Sequence, residues 1–113
     1  MSCTKPVLAV RFFRTASDNE PVREWLAGLP REHRRLIGIE IKVVQFGWPI
    51  GMPVVRKLDS GLWEVRFDLG ATIARVMFTL AHSEMVLLHG FIKKTQKTPL
   101  TDIATAKRRQ SKL

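Results

Sequence analysis

Three stretches decide the fold: LWEVRF (62–67), TIARVMFTL (72–80) and EMVLLHGFIKKTQKTP (84–99). In the first stretch Trp63, Val65 and Phe67 alternate with charged residues, which is the period of a half-buried strand. The connections at Leu69–Gly70 and Ala81–Ser83 are short, and short connections join antiparallel neighbours. The sequence therefore predicts an antiparallel sheet with one apolar face and one face that carries charge.

One strand and two helices are predicted upstream of this sheet region. VLAVRFFRT (7–15) is rich in β-branched and aromatic residues and predicts a first strand. A short helix follows, capped by Ser17 or Asp18 and ending near 28–30. A second helix begins after Pro30 and ends at Gly47. The apolar residues expected to face inward are Val22, Trp25, Leu26 and Leu29 in the first helix, and Leu36, Ile37, Ile39, Ile41 and Val44 in the second.

The rest of the chain completes one α+β domain over residues 1–113. GWPIGMP (47–53) is too rich in Gly and Pro for a regular element and predicts an ordered loop. A strand then begins near Val54, turns at 59–61 and continues to Asp68. After Pro99 the sequence is weakly helical, with an apolar side at Leu100, Ile103 and Ala104 and a cationic end expected to fray. The predicted order is β-α-α-β-β-β, with the two N-terminal helices on one face of a curled sheet and a short C-terminal helix after it.

The charge balance points to a polyanionic partner. The chain has 19 Lys+Arg against 10 Asp+Glu, a net charge of +9. Residues 93–113 hold seven Lys and Arg against Asp102, so this basic C-terminal segment supplies +6 of that charge. A lone Cys3 cannot form an internal disulfide, and no apolar run is long enough to span a membrane. A cytoplasmic protein without a membrane partner is expected.

The charged face of the sheet carries the residues that chemistry would need. Glu64 and Arg66 lie on the same face of one strand, and pairing around residues 70–71 places Arg75 opposite Arg66. Two opposed guanidiniums repel unless an anion or Glu64 lies between them, which favours a phosphate site. In a metal-free ribonuclease Glu64 would act as base and the arginines would stabilise the phosphorane. The competing interpretation is a solvated ion-pair ladder of little energetic weight.

Further cations surround this face. Arg56 and Lys57 point to alternate faces if extended, so one of them reaches the groove and the other is a surface charge. The segment after the last strand offers Lys93, Lys94 and Lys97 for the RNA backbone. Gln96 and Thr95 add uncharged donors for base edges or ribose hydroxyls. Together these residues predict an RNA-binding surface.

Histidines and metals contribute less to the prediction. His89 would be a general acid or RNA contact if it faced Glu64, but a packed, hydrogen-bonded strand histidine is the more common role. Three dispersed histidines and one cysteine have no metal-ligand spacing, so neither a metal nor another cofactor is predicted. Trp25, Trp48 and Trp63 are expected to anchor the core or loops.

The order of several motifs resembles a known family. Five motifs occur in this order: PVREWLAGLP, the loop GWPIGMP, the unit RKL–LWEVR, ARVMFTL and FIKKTQKTP. Together they resemble the phage-derived Gp49-like (HigB-type) branch of the RelE superfamily, over roughly residues 7–110. The resemblance implies a RelE-like, microbial-RNase-like fold. It also implies a toxin of a type II toxin–antitoxin system, an mRNA interferase that inhibits translation by cutting mRNA on the ribosome.

The resemblance also implies partners and site residues. The partners are mRNA, ribosomal RNA and a helix-turn-helix (HigA-like) antitoxin, through which alone the complex would contact operator DNA. The basic positions of the family groove fall on Lys57, Arg66, Arg75 and Lys94, with Glu64 on the strand between them. The family often has a Tyr or His near the end of the last strand. This chain has no Tyr, so His89, Lys93 or Lys97 would substitute, or the proton comes from elsewhere.

Two alternatives stay open. One is a non-catalytic module that binds RNA, the ribosome or a protein partner, as a degenerate toxin would. The other is a structural domain whose basicity has no further role. For the endoribonuclease, Arg75→Ala is expected to remove cleavage and leave the fold intact.

Overall fold

The computed structural model describes residues 5–93 and 98–113. The elements are β1 Ala9–Phe12, α1 Pro21–Ala27, α2 Arg31–Gly47, β2 Val55–Asp59, β3 Leu62–Asp68, β4 Ile73–Ala81, β5 Glu84–Lys93 and α3 Leu100–Gln110. The strands form one five-stranded sheet in the order β1-β5-β4-β3-β2. The predicted α+β class is confirmed. No helix within the two described ranges is long and apolar enough to cross a membrane.

The sheet is built from three consecutive antiparallel hairpins. β2 pairs with β3, β3 with β4, and β4 with β5. The predicted turn at 59–61 is confirmed and contains Gly61 at φ +64°, but the segments on its two sides are separate strands that pair with each other rather than one continued strand. The predicted order of elements therefore lacks one strand. β1 lies parallel to β5, a long-range pairing that the sequence pattern did not indicate.

The main core lies between the sheet and helices α1 and α2, on what we call the α1/α2 face. Val65, Val76 and Phe78 of the sheet share this core with buried residues of the helices. The predicted inward residues Val22, Ile37, Ile41 and Val44 are buried. Ile39 was predicted to point inward, but its side chain is exposed because 3.6 residues per turn place it opposite the buried stripe.

Helix α1 begins differently from the prediction. Its N-cap is Glu20 rather than Ser17 or Asp18, and no side chain caps it by accepting a hydrogen bond. The Glu20 backbone N–H instead donates to the Glu24 carboxylate at 3.0 Å. The Glu24 side chain reaches back over the first turn, which satisfies one donor that a helix start leaves open.

Helix α3 packs on the other side of the sheet, which we call the α3 face. Ala106 is buried against Met77 and Leu88, whose neighbours in sequence, Val76 and Leu87, belong to the α1/α2 core. Successive strand residues point to opposite faces, so α3 and the two other helices sandwich the sheet. The predicted placement of the two N-terminal helices on one face is confirmed, and the short C-terminal helix packs on the opposite face.

The cationic end of α3 is anchored to the sheet. Arg109 donates from Nη1 to the Leu88 carbonyl at 2.7 Å, and Gln110 donates from Nε2 to the Gly61 carbonyl at 3.1 Å. Lys107 forms an ion pair with Asp59 at the end of β2. The prediction of a frayed end is therefore wrong, because basic side chains find carbonyl and carboxylate acceptors across the sheet. Of the residues predicted to dock, Ile103 packs on the α3 face, whereas Leu100 and Ala104 are exposed.

The loop over 47–53 is held by aromatic packing. The ring centroid of Trp48 lies 5.2 Å from that of Trp63 and 5.7 Å from that of Phe78, both edge-to-face. Such contacts anchor the loop against the α1/α2 core. The predicted roles of Trp48 and Trp63 as anchors are confirmed, and the loop places Pro53 and Val54 directly before β2.

Gly90→Ala is expected to destabilise the protein by about 1–3 kcal/mol because it overpacks the core. A Cβ atom on Gly90 would lie 2.5 Å from two ring carbons of Trp25, which is closer than packed atoms approach. Urea unfolding monitored by circular dichroism measures the change. Gly38→Ala is the control, because a Cβ there meets nothing within 4 Å and the residue lies inside α2. Gly38→Ala should stabilise the helix by up to about 1 kcal/mol. A urea midpoint that Gly90→Ala leaves unchanged would contradict the close packing.

Candidate functional site

A charged cleft lies on the α3 face, beside the area that α3 covers. Arg66 on β3 and Arg75 on β4 are directly opposite each other in the antiparallel register, as predicted. The turn between the two strands contains Gly70 at φ +93°, a conformation that favours glycine. Glu64 lies two residues before Arg66 and therefore on the same face. The hairpin brings the three predicted residues together.

Glu64 and Arg75 form a buried ion pair on the floor of the cleft. Glu64 Oε1 accepts a hydrogen bond from Arg75 Nη1, and the side chains are 0% and 5% exposed. The buried Nε of Arg75 has no hydrogen-bond partner within the described part of the chain. The predicted contact between carboxylate and guanidinium is present. The expectation of a solvated ladder does not describe this pair, because water is excluded from it.

A second bond fixes the carboxylate from the other side. Thr98 donates from its hydroxyl to Glu64 Oε2 at 2.9 Å, and Lys93 Nζ donates to the same hydroxyl oxygen at 3.4 Å. Both carboxylate oxygens thus accept a hydrogen bond. A carboxylate held in this way is better suited to orient Arg75 than to accept a proton from a substrate.

Lys93 is buried at the end of β5, close to this pair. Burial lowers its pKa below the ordinary lysine value, and the positive charge of Arg75 lowers the pKa further. The carboxylate of Glu64 acts in the opposite direction, and Arg56 and Arg66 add smaller repulsions. The cleft is lined by Arg56, Arg66 and Arg75 together with Glu64, and Lys93 donates to the Thr98 hydroxyl that bonds this carboxylate. Four cations therefore lie around a single carboxylate. Such an excess of positive charge in a partly desolvated cleft favours an anionic ligand.

The cleft has a volume of about 190 Å³ and is open to solvent at its rim. Its lining is Met52, Pro53, Val54, Arg56, Glu64, Arg66 and Arg75. A neighbouring depression of about 200 Å³ shares Arg56 with the cleft and is lined by Thr98, the residue that bonds Glu64. The two recesses form one surface on which a chain of phosphates could lie.

The structure distinguishes Arg56 from Lys57. Arg56 is opposite Glu64 in the β2–β3 register, so it shares the face of the cleft. Lys57 is opposite Trp63, which packs against the α1/α2 core. Alternation therefore places Lys57 outside the cleft, although it borders the neighbouring depression. Of the two predicted cations, Arg56 is the one that reaches the groove.

His89 lies at the interface with α3. Its Nε2 is 2.6 Å from Asp102 Oδ1, and its ring stacks on Phe91 with centroids 5.6 Å apart. Met77 separates it from Glu64 in the same row of the sheet, so the two backbones are about 10 Å apart at the usual strand spacing. The histidine is packed and hydrogen-bonded, which is the role that the sequence analysis preferred for it.

Several predicted residues lie outside the part of the chain that the structure describes, and one residue of the site was not predicted. Lys94, Gln96 and Lys97 lie outside the described residues, as does Thr95. Thr98 was not predicted to have a role. Nothing in its sequence context indicates one, because the residue it bonds is 34 positions away.

The arrangement is suited to bind and polarise a phosphodiester. Arg66 is exposed at the rim and is free to turn its planar guanidinium toward a phosphate. Arg75 is held in place below it by Glu64. The geometry thus combines one adaptable donor with one preorganised donor, which suits charge that develops on phosphate oxygens during cleavage.

Comparison with known proteins agrees with the motifs. The family model described as Phage derived protein Gp49-like (DUF891) matches residues 24–111. The matched range includes β2 to α3 and therefore the whole cleft. No curated protein matches the chain. Because the family match covers most of the sequence, this protein belongs to the phage-derived Gp49-like family.

Proposed function

We propose that this protein is an endoribonuclease that cuts mRNA on the ribosome and thereby inhibits translation, as the toxin of a type II toxin–antitoxin system. The observation that supports it best is the opposed pair Arg66 and Arg75, with Glu64 buried behind Arg75 in an open cationic cleft. Family membership supports the same function, because the sequence that matches the family model includes these three residues. A RelE-like topology for the α+β fold is part of this proposal.

In the proposed reaction the 2′-oxygen of a ribose attacks the adjacent phosphorus. The new O–P bond forms as the bond to the 5′-oxygen breaks, leaving a 2′,3′-cyclic phosphate and a 5′-hydroxyl. Arg66 and Arg75 bind the phosphate oxygens that gain charge in the phosphorane. Glu64 orients Arg75, and Arg56 and Lys93 raise the local positive potential. The proton leaves the 2′-hydroxyl and reaches the 5′-oxygen through groups that ribosomal RNA completes, since Glu64 is already engaged at both oxygens.

The proposed partners follow from this function. The basic segment that includes Lys94 and Lys97 would bind the backbone of mRNA and ribosomal RNA, with Gln96 at base edges or ribose hydroxyls. A helix-turn-helix antitoxin would neutralise the protein and would connect it to operator DNA. No metal ion is needed for the proposed steps.

Mapping the 5′ ends of a reporter mRNA tests the proposal. The purified protein is incubated with the mRNA, once with translating ribosomes and once without them. We expect in-frame cuts that depend on the ribosome and products that end in a cyclic phosphate. Cuts without ribosomes would show that the protein carries a complete active site of its own and would overturn the role given to ribosomal RNA. Absence of cuts under both conditions, with folded protein, would contradict the proposal.

A second candidate is a module that binds RNA or the ribosome without cleaving it. The observation in its favour is that Glu64 and Arg75 are buried and paired with each other, which also describes a purely structural pair. For this candidate, single-stranded RNA should bind with no product at any ionic strength. The two exposed cations of the cleft, Arg56 and Arg66, would give a slope of log K against log salt of about −1.4, at about −0.7 for each phosphate contact. Cleavage products would decide against it.

A further inference from the structure

The exposed side of α2 carries an apolar stripe that no described residue covers. Ile39, Val43 and Phe46 are 44%, 41% and 45% exposed. Their spacing of four and three residues places them on one line along the helix, and Leu36, half-buried, extends the line by one turn. The buried residues of α2 lie on the opposite side. A helix with apolar residues on both sides indicates a second contact surface.

The stripe continues into a groove. A recess of about 290 Å³ lies between α2 and the sheet edge, lined by Leu36, Ile39, Glu40, Pro53, Val54, Arg66, Phe67 and Asp68. Pro53, Val54 and Arg66 also line the charged cleft. The apolar stripe, the groove and the cleft therefore form one continuous surface, with Arg66 at the junction.

Charge along the stripe selects the kind of partner. Arg31, Arg35 and Lys42 are exposed, and helical spacing places them in a row along the side of the stripe away from the groove. Arg35 forms an ion pair with Glu32 on the same helix. Arg31 and Lys42 form no ion pair with any residue that the structure describes. On the groove side, Glu40 and Asp68 stand near Arg66. Carboxylates of a partner are therefore favoured along the Arg31–Lys42 border.

We propose that this face of α2 is the docking site of a partner protein that presents an amphipathic helix, with an apolar stripe bordered by Asp or Glu. The line from Leu36 to Phe46 is about 15 Å long at 1.5 Å per residue, so about three turns of a partner helix cover it. A second copy of this chain is a poorer occupant, because each copy carries a net charge of +9. A helix that extends from the stripe into the groove reaches Arg66, and that regulatory consequence alone rests on the proposed function.

The test uses three designed helical peptides of equal length. The first has a Leu/Ile stripe bordered by Glu, the second keeps the stripe but has Lys in place of Glu, and the third keeps Glu but has Gln in the stripe. Fluorescence anisotropy with the full chain measures their affinities. We expect the first peptide to bind at least about tenfold more tightly than either control, since apolar anchors and matched charge both contribute. Equal affinity of the first and third peptides would show only attraction to a basic protein and would overturn the proposal.

Variants of the protein locate the site. The double variant Ile39→Gln with Phe46→Gln should weaken the first peptide at least about tenfold, as loss of two anchors does. Lys42→Glu should weaken it and strengthen the Lys-bordered peptide. Arg56→Gln in the cleft and Leu113→Gln at the exposed C-terminus should leave the affinity unchanged. Undiminished binding by the α2 double variant would place the peptide elsewhere and overturn the proposal.

Sedimentation of the free protein tests the competing occupant. A dimer that Phe46→Gln dissociates would assign the face to a second copy and would overturn the proposal, whereas a monomer supports it. None of these measurements involves RNA, so failure of docking and failure of the proposed nuclease activity are distinguishable.

Discussion

Arg75→Ala is expected to lower the free energy of unfolding by about 3–5 kcal/mol, because it leaves the Glu64 carboxylate buried without its cation. Glu64 is 0% exposed on the floor of the cleft. The Thr98 hydroxyl would remain, but one neutral donor does not compensate a buried charge. Urea unfolding at neutral pH measures the change. The expectation from sequence that this variant leaves the fold intact does not fit the burial of the pair.

A double variant distinguishes the loss of the ion pair itself from the burial of an unpaired carboxylate. Glu64→Gln combined with Arg75→Met removes both charges and keeps similar volume, so most of the lost stability should return. If the double variant were less stable than Arg75→Ala alone, the burial of an unpaired carboxylate would not be the cause.

The exposed pair of Arg11 and Glu84 provides a matched control. The two groups are 3.1 Å apart on paired strands β1 and β5, with side chains 44% and 34% exposed. Arg11→Ala should therefore cost less than about 1 kcal/mol, since exposed ion pairs contribute little. Equal costs at Arg11 and Arg75 would mean that burial does not set the energy of the central pair.

Local patterns were sufficient to predict the central hairpin. Alternation in LWEVRF assigns Glu64 and Arg66 to one face, and the turn at Gly70 fixes Arg75 opposite Arg66. The same pattern could not show that Glu64 is buried. The burial involves contacts that are distant in sequence, among them Thr98, which lies 34 positions from the carboxylate that it bonds. The predicted pairing of Arg66 with Arg75 is confirmed, whereas the burial of Glu64 was not predicted, for this reason.

Long-range packing accounts for the other errors. Helix α3 has few apolar residues, and its basic end resembles a solvated tail in sequence. Its position is set by Ala106 against the sheet and by Arg109 and Gln110 bonding to backbone carbonyls. Acceptors on other strands leave no trace in the local pattern. The exposed Ile39 has a related explanation, because an apolar residue on a helix predicts a contact but not which partner makes it.

Arg66→Ala is expected to reduce the rate of mRNA cleavage by about 10²–10³-fold, the usual loss for one donor to an oxyanion. Arg66 is exposed at the rim of the cleft and forms no ion pair within the described chain, so the urea midpoint should stay unchanged. Arg66→Lys should restore only part of the rate, because an ammonium keeps the charge but cannot donate two parallel hydrogen bonds.

Arg23→Ala is the control, since Arg23 is an exposed arginine on α1 and lies outside the cleft. Cleavage by Arg66→Ala at the rate of Arg23→Ala would remove Arg66 from the site. Loss of cleavage with full RNA affinity would identify it as a donor that acts chiefly in the transition state, because ground-state binding would then be intact.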